Sequence, residues 1–143
     1  MTIDIRPVTT ATELEACFPV MRELRPHLTS PAELIERAMR QFGQGYHLLA
    51  AWKADAVVGA AGYRIQENLI RGRFCYVDDL VVAGSHRRDG LGARLLDAAA
   101  DQARAQGIDR LVLDTGLDNL LGQRFYFRYG MLPAALRFAT TLD

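Results

Sequence analysis

The chain has 143 residues, enough for one domain with a substantial core that needs neither disulfides nor metal ions. It carries 17 basic and 17 acidic side chains, so its net charge favours neither nucleic acid nor an anionic membrane as a partner. The sequence contains no apolar run long enough to span a bilayer and no leader-like start. We therefore expect a single domain over residues 1–143, in a soluble, cytoplasmic protein.

The first third of the chain predicts a strand followed by two helices. Residues 3–8 alternate apolar and polar side chains, as a strand does. Thr12 and Glu15 have the spacing of a capping box, and they open a helix that we expect Pro19 to kink or divide. The run 30–42 begins with Ser-Pro-x-Glu, a helix start signal, and stops before a glycine.

A three-stranded meander follows. Residues 46–52 and 57–65 are predicted to be strands joined by a tight turn at 53–56. A polar loop over 66–71 then leads to a third strand, residues 73–82.

The last part predicts a crossover. A central helix over residues 90–106 is followed by a short apolar strand, 110–114, typical of a buried parallel strand. We expect a further helix at 119–129 and a last strand after Pro133. An antiparallel meander that feeds a βαβ crossover predicts an α/β fold with one mixed sheet and helices on both faces. Both cysteines, Cys17 and Cys75, lie in apolar contexts and are expected to be core thiols.

The junction between the third meander strand and the central helix is predicted to bind a diphosphate. The first turn of a helix has unpaired N–H groups with partial positive charge, and glycine lets a phosphate approach them closely. Two arginines in the loop add charge-assisted hydrogen bonds. The predicted cradle comprises Arg87, Arg88, Asp89, Gly90, Leu91, Gly92 and Ala93.

Two motifs resemble those of a known family. The first is Arg87-x-x-Gly90-x-Gly92, which resembles the Arg/Gln-x-x-Gly-x-Gly/Ala signature of the GCN5-related N-acetyltransferase (GNAT) superfamily. The second is Phe125-Tyr126-x-x-x-Gly130-Met131, which has Met131 where that family has a second Phe. The resemblance covers essentially the whole chain. It implies a GNAT-like fold, and a cradle that holds the pyrophosphate of acetyl-coenzyme A.

The resemblance also implies roles for residues outside the cradle. The backbone of Leu80 and Val82 would pair with the pantetheine arm, and Asn119 would reach the cofactor, although spacing alone fits a plain helix N-cap equally well. Tyr126 would protonate the departing thiolate, because a phenol has a pKa near that of a thiol. The chemistry needs no metal, since a strand N–H can polarise the thioester carbonyl.

The general base is less sharply defined. Asp78 and Asp79 are the first candidates, because acidic residues are frequent at this position in the family, and strand alternation allows only one of them to face a cleft. Glu67 is the second choice. His47 and His86 can titrate near neutrality, but neither has a partner that the sequence identifies.

Two nucleotide-binding functions fit the sequence less well than acetyl-coenzyme A binding. The glycines superficially resemble a dinucleotide-binding fingerprint, but the loop before Gly90 is too long and Leu95 replaces the third glycine; no Gly-Lys-Ser/Thr of a phosphate-binding NTPase follows. A non-catalytic acyl-coenzyme A sensor of the same fold remains the alternative to an enzyme.

The acceptor is predicted to be an amine of a small molecule or a protein. Arg22, Arg25 and His27 could meet an acidic acceptor, but an exposed helix face is the simpler interpretation. The short tail leaves a sheet edge that a second subunit could cover, so a homodimer is open.

Overall fold

The structure is a computed structural model that describes residues 2–143. These residues form two compact units, one that ends at Val112 and one that spans Leu113–Asp143. Within the described residues, no helix is long and apolar enough to cross a membrane.

The described residues contain five strands and four helices, and a 3₁₀ turn over Gly84–His86 precedes the third helix. In chain order they are β1 (Ile3–Val8), α1 (Ala11–Leu24), α2 (Pro31–Phe42), β2 (Tyr46–Lys53), β3 (Ala56–Asn68), β4 (Gly72–Val82), α3 (Leu91–Arg104), β5 (Leu111–Leu113) and α4 (Leu120–Tyr129). The strands form one sheet in the order β1-β2-β3-β4-β5. Neighbours from β1 to β4 are antiparallel, and β5 lies parallel beside β4. The predicted mixed α/β sheet is confirmed.

Apolar side chains cover both faces of the sheet. On one face, α1 and α2 pack on β2, β3 and β4 through the fully buried Leu14 and its neighbours. On the other face, Leu91 and Leu95 of α3 pack against Ala51, Val58 and Ala61. The two cysteines are buried free thiols, as predicted, and burial raises the pKa of Cys17 to about 12 and that of Cys75 to about 11.

Two expectations for the first helix were wrong. The capping box uses Thr10 and Glu13 rather than Thr12 and Glu15: Thr10 Oγ1 accepts the Glu13 N–H at 3.2 Å, and Glu13 Oε1 accepts the Thr10 N–H at 3.1 Å. Pro19 does not divide α1, which is continuous from Ala11 to Leu24. Proline removes only one helical hydrogen bond, and burial of the apolar side of α1 on the sheet compensates for that loss.

The hairpin and the tail also differ from expectation. The first half of the predicted loop over 66–71 is strand, since β3 continues to Asn68, and 69–71 form the turn. The Asn68 side chain closes this turn by accepting the N–H groups of Ile70 (3.1 Å) and Arg71 (2.7 Å). The expected last strand after Pro133 is absent from the described chain. Leu136 and Phe138 alternate as strand residues do, but alternation forms a strand only where a neighbouring strand supplies hydrogen bonds.

A β-bulge interrupts β4 at Asp78. Gly62 pairs with Asp79, whereas the next residue of β3, Tyr63, pairs with Val77, so Asp78 is the extra residue on β4. Gly62 is required at this place because the ring of Tyr46 lies directly over it. A Cβ built on Gly62 would stand 1.9 Å from the Tyr46 hydroxyl oxygen.

We predict that Gly62→Ala lowers the free energy of unfolding by about 1–3 kcal/mol, because the new methyl group displaces the Tyr46 ring from a packed site. Urea denaturation measures this change. Gly43→Ala is the matched control: its Cβ would meet its nearest neighbour, the Arg40 carbonyl oxygen, at 3.4 Å, so we expect an effect within about 0.5 kcal/mol. In a Tyr46→Ala background the Gly62→Ala penalty should largely disappear. An equal penalty in both backgrounds would contradict the steric explanation.

Candidate active site

The loop that leads into α3 turns at two residues with positive φ. Arg88 has a φ of 79° and Gly90 a φ of 75°. Glycine adopts this left-handed conformation freely, whereas a residue with a side chain is disfavoured by about 1–2 kcal/mol. Gly90 thus adopts the left-handed conformation freely, whereas Arg88 adopts it at a cost in free energy.

The N-terminus of α3 is open. Gly90 is the N-cap and has no side chain to cap the helix. The first helical bond joins the Arg94 N–H to the Gly90 carbonyl oxygen at 3.2 Å, so the amides of residues 91–93 precede the hydrogen-bonded ladder. These amides carry the partial positive charge of a helix N-terminus and suit a phosphate group.

Arg87 lies beside this open end. Its side chain is 65% exposed, with Nη2 3.6 Å from Glu23 Oε1 and Nε 3.4 Å from the Val82 carbonyl oxygen. Glu23 belongs to α1 and also accepts the Gly84 N–H at 3.2 Å, so it ties the loop to that helix. An exposed ion pair of this length is weak. The Arg87 guanidinium can therefore turn to a phosphate at small cost.

The end of β4 presents backbone groups on the side away from β3. The Ala83 N–H donates to the Val58 carbonyl oxygen at 2.8 Å, which fixes the alternation of the antiparallel ladder and directs the polar groups of Leu80 and Val82 to the opposite edge. The Cys75 N–H donates to the Arg110 carbonyl oxygen at 2.9 Å, which places the start of β5 beside Cys75. Since β5 has only three residues, it ends before it could pair with Leu80.

The two candidate carboxylates belong to one polar network. Asp79 Oδ1 accepts Nε and Nη2 of Arg25 at 3.0 and 2.8 Å, and its Oδ2 accepts the Tyr46 hydroxyl at 2.6 Å. Asp78 Oδ2 accepts Nε of Arg64 at 3.0 Å, and the Asp78 carbonyl oxygen accepts Nη2 of Arg25 at 2.8 Å. The bulge places an extra residue between regular strand positions, so regular alternation does not describe Asp78 and Asp79. The expectation that only one of them faces a cleft stays a prediction.

Burial changes the acidity of this network. It raises the pKa of the Asp78 carboxyl, an effect that the Arg64 guanidinium partly opposes and the nearby Asp79 reinforces. Burial also raises the pKa of the Tyr46 hydroxyl well above its usual value, with the Asp79 charge as the next cause. The Tyr46 hydroxyl thus remains protonated and donates its hydrogen bond to Asp79.

In the second unit, Asn119 caps α4. Its Oδ1 accepts the Gly122 N–H at 3.1 Å, and its Nδ2 donates to Thr115 Oγ1 at 3.0 Å. The structure therefore shows Asn119 as the N-cap of α4, the role that spacing alone had left open.

The aromatic motif lies on α4. Tyr126 is half-buried, and burial raises the pKa of its hydroxyl, which keeps it protonated at neutral pH. Phe125 packs edge-on against the Tyr126 ring with centroids 5.3 Å apart. The helix ends at Gly130, whose φ of 107° lets the N–H groups of Gly130 and Met131 donate to the Tyr126 carbonyl oxygen at 3.1 and 2.9 Å.

The model of the acetyltransferase (GNAT) family matches residues 9–131. The chain belongs to the GNAT acetyltransferase family. The GNAT resemblance that the sequence motifs predicted is confirmed.

Individual relatives agree with this assignment. The uncharacterized N-acetyltransferase YhdJ of Bacillus subtilis (strain 168) is 29% identical over 126 residues, which cover 87% of each chain. Among solved structures, AAC(6')-Iy in complex with a bisubstrate analogue has a TM-score of 0.84 at 19% identity, with both chains fully covered. A transcriptional regulator from Bacillus halodurans C-125 has a TM-score of 0.85 at 18% identity and covers 99% of this chain and 100% of its own. At these identities the two structures establish the fold alone.

Within this GNAT chain, sequence analysis missed the partners of the carboxylates. Arg25 was interpreted as part of an exposed helix face, yet it donates to Asp79. Tyr46 and Arg64 were counted as strand residues only. No local sequence pattern indicates these contacts. Arg25 and Asp79 are 54 residues apart in sequence, so they cannot be paired before the strand register is known.

Other candidates lie outside this network. Glu67 is exposed near the end of β3. His47 stacks on Tyr63 with centroids 5.1 Å apart, and His86 Nε2 lies 3.4 Å from Lys53 Nζ. Within residues 2–143, no group of three or more His, Cys, Asp or Glu side chains is arranged to hold a metal ion.

We predict that Asn119→Ala lowers the free energy of unfolding by about 0.5–2 kcal/mol, because the Gly122 N–H loses its acceptor. Asn119→Ser keeps an oxygen that can cap the helix, and it should recover most of that stability. Thermal unfolding of the two variants tests the cap. A destabilisation by serine as large as that by alanine would contradict the capping role.

Proposed function

We propose that this GNAT acetyltransferase transfers an acetyl group from acetyl-coenzyme A to a primary amine, by direct attack in a ternary complex. The observation that carries the proposal is the open, uncapped N-terminus of α3 with the exposed Arg87 beside it. This arrangement fits an anionic diphosphate, and the carboxylates at the β4 bulge suit a cationic amine.

In this proposal residues 87–93 hold the pyrophosphate. The amides of Leu91, Gly92 and Ala93 donate to phosphate oxygens, Arg87 and Arg88 add charge, and Asp89 belongs to the connecting loop. The backbone groups of Leu80 and Val82 face an edge that β5 does not reach, and they pair with the amides of the pantetheine arm. Asn119 caps α4 and, in this proposal, also reaches the cofactor.

The proposed chemistry begins with the loss of one proton from the cationic amine to solvent. The neutral nitrogen then attacks the thioester carbonyl carbon, a C–N bond forms and the C–S bond breaks. A strand N–H near Leu80 stabilises charge on the carbonyl oxygen. A carboxylate at the bulge, Asp78 or Asp79, takes the second proton that the nitrogen loses and returns it to solvent. The Tyr126 hydroxyl protonates the leaving thiolate and regains a proton from solvent.

The acceptor is proposed to be a cationic amine of a small molecule or a protein. The AAC(6')-Iy structure, solved with a bisubstrate analogue that joins coenzyme A to an acetylneamine, supports a small polyamine-like acceptor. The half-buried carboxylate of Asp78 supports the same class, because a carboxylate attracts an ammonium group. A homodimer remains part of this proposal, and sedimentation velocity would test it.

We predict that the protein binds coenzyme A and that Arg87→Ala weakens binding about 10- to 100-fold, the loss expected for one or two charge-assisted hydrogen bonds. Gly92→Glu should abolish binding, because it places a carboxylate among the phosphate-binding amides. Arg104→Ala, at the other end of α3, is the control and should bind as wild type does. Isothermal titration calorimetry measures all four proteins. A folded wild type that does not bind coenzyme A would overturn the proposed cofactor site.

We predict that Tyr126→Phe lowers kcat about 10²- to 10⁴-fold, since the thiolate loses its proton donor. The affinity for coenzyme A should be unchanged. Tyr129→Phe removes a hydroxyl from the same helix and is the control. Thiol release with a panel of amines that includes neamine measures turnover. Coenzyme A binding without turnover on any amine would favour the non-catalytic sensor, and full activity of Tyr126→Phe would exclude the tyrosine as the acid.

A further inference from the structure

The two carboxylates at the bulge, Asp78 and Asp79, differ in how many hydrogen bonds their oxygens accept. Both oxygens of Asp79 are occupied, one by Arg25 and the other by Tyr46. Its side chain is only 14% exposed. An acceptor nitrogen or a water molecule would therefore have to displace one of these donors to reach an Asp79 oxygen.

Asp78 is less committed. Arg64 donates to its Oδ2, whereas among residues 2–143 no side chain donates to its Oδ1, and the side chain is 27% exposed. Arg64 is itself held in place: its Nη2 donates to Gln41 of α2, and its guanidinium carbon lies 5.1 Å from the centre of the Tyr46 ring. Asp78 thus has a fixed orientation and one oxygen that remains accessible.

Asp79 and its two partners come from three separate parts of the chain. Arg25 follows α1, Tyr46 begins β2, and Asp79 lies on β4 directly after the bulge residue. Arg25 also donates a hydrogen bond to the carbonyl oxygen of Asp78, the bulge residue. Tyr46 is 6% exposed and reaches Asp79 only because Gly62, between them on β3, has no side chain.

We propose that Asp78 is the general base, and that Arg25, Tyr46 and Asp79 form a positioning network that fixes the β4 bulge around it. The proposal rests on the acetyl transfer proposed above. The Asp78 carboxylate takes a proton from the acceptor nitrogen, directly or through one water molecule, and becomes a neutral carboxyl group. It then returns that proton to solvent.

The groups that face Asp78 set its acidity. Arg64 and Arg25 favour its ionised form, whereas burial and the charge of Asp79 favour its neutral form, and burial is the largest of these effects. The Asp78 carboxylate accepts a proton only in its ionised form, so the base is active above a pKa that is higher than that of an ordinary aspartate. Activity should therefore fall on the acidic side at a higher pH than an ordinary aspartate would give.

The first experiment is a pH profile of kcat/KM with neamine as the acceptor. Asp78→Asn should lower kcat about 10²- to 10⁴-fold and remove the acidic limb. Asp79→Asn and Tyr46→Phe should lower kcat about 10- to 100-fold but keep the limb, because the base is displaced rather than lost. Tyr63→Phe, a hydroxyl deletion on β3, is the control. An acidic limb that disappears in Asp79→Asn and persists in Asp78→Asn would overturn the assignment.

The second experiment needs no turnover and separates this proposal from the function on which it rests. NMR of protein with ¹³C-labelled aspartate carboxyl groups should show Asp78 titrating above the ordinary aspartate range. The backbone amide resonances of Asp78, Asp79 and Leu80 should shift in Tyr46→Phe and not in Tyr63→Phe. An Asp78 that titrates in or below the ordinary range would exclude it as the base. Unchanged amide resonances in Tyr46→Phe would exclude the positioning network. Either result is independent of coenzyme A binding.

Discussion

The hydrogen bond between the Tyr46 hydroxyl and Asp79, 2.6 Å long, is the interaction on which the candidate site depends. It connects the start of β2 to the bulge of β4, and Arg25 extends the connection to the end of α1. Groups on three elements that are far apart in sequence are thereby held at one place. The Asp79 side chain is only 14% exposed, so the loss of either donor would leave a largely shielded oxygen without a partner. The network therefore favours a single arrangement of the bulge.

The bulge divides β4 into two parts with different proposed roles. At the bulge, Asp78 and Asp79 join the network with α1, α2 and β2. Beyond it, Leu80 and Val82 turn their backbone groups towards an edge where β5 has ended. The strand then leads directly into the loop of Arg87 and the open N-terminus of α3. Acceptor chemistry, thioester alignment and phosphate binding thus follow one another along β4 and α3 in the proposed function.

The sequence predicted the elements with strong local signals. Ser30 and Pro31 opened α2, the alternating runs formed the meander, and the glycines marked the open end of α3. It failed where tertiary contacts outweigh local rules: Pro19 lies inside a helix that core packing holds together, and the apolar residues after Pro133 found no strand to pair with. The bulge was not predictable either, because an extra residue in β4 is defined only by its pairing with β3. The network around Asp79 was missed for the same reason.

The most direct test of the account follows the amides at the start of α3. In ¹H–¹⁵N NMR spectra, the resonances of Leu91, Gly92 and Ala93 should move downfield as coenzyme A is added, since each N–H would exchange water for a phosphate oxygen. Adenosine, which lacks phosphates, should leave them in place. Shifts of these three amides that saturate with coenzyme A would establish the cradle. Binding of coenzyme A that leaves the three amides unperturbed would contradict it, because the diphosphate would then lie elsewhere.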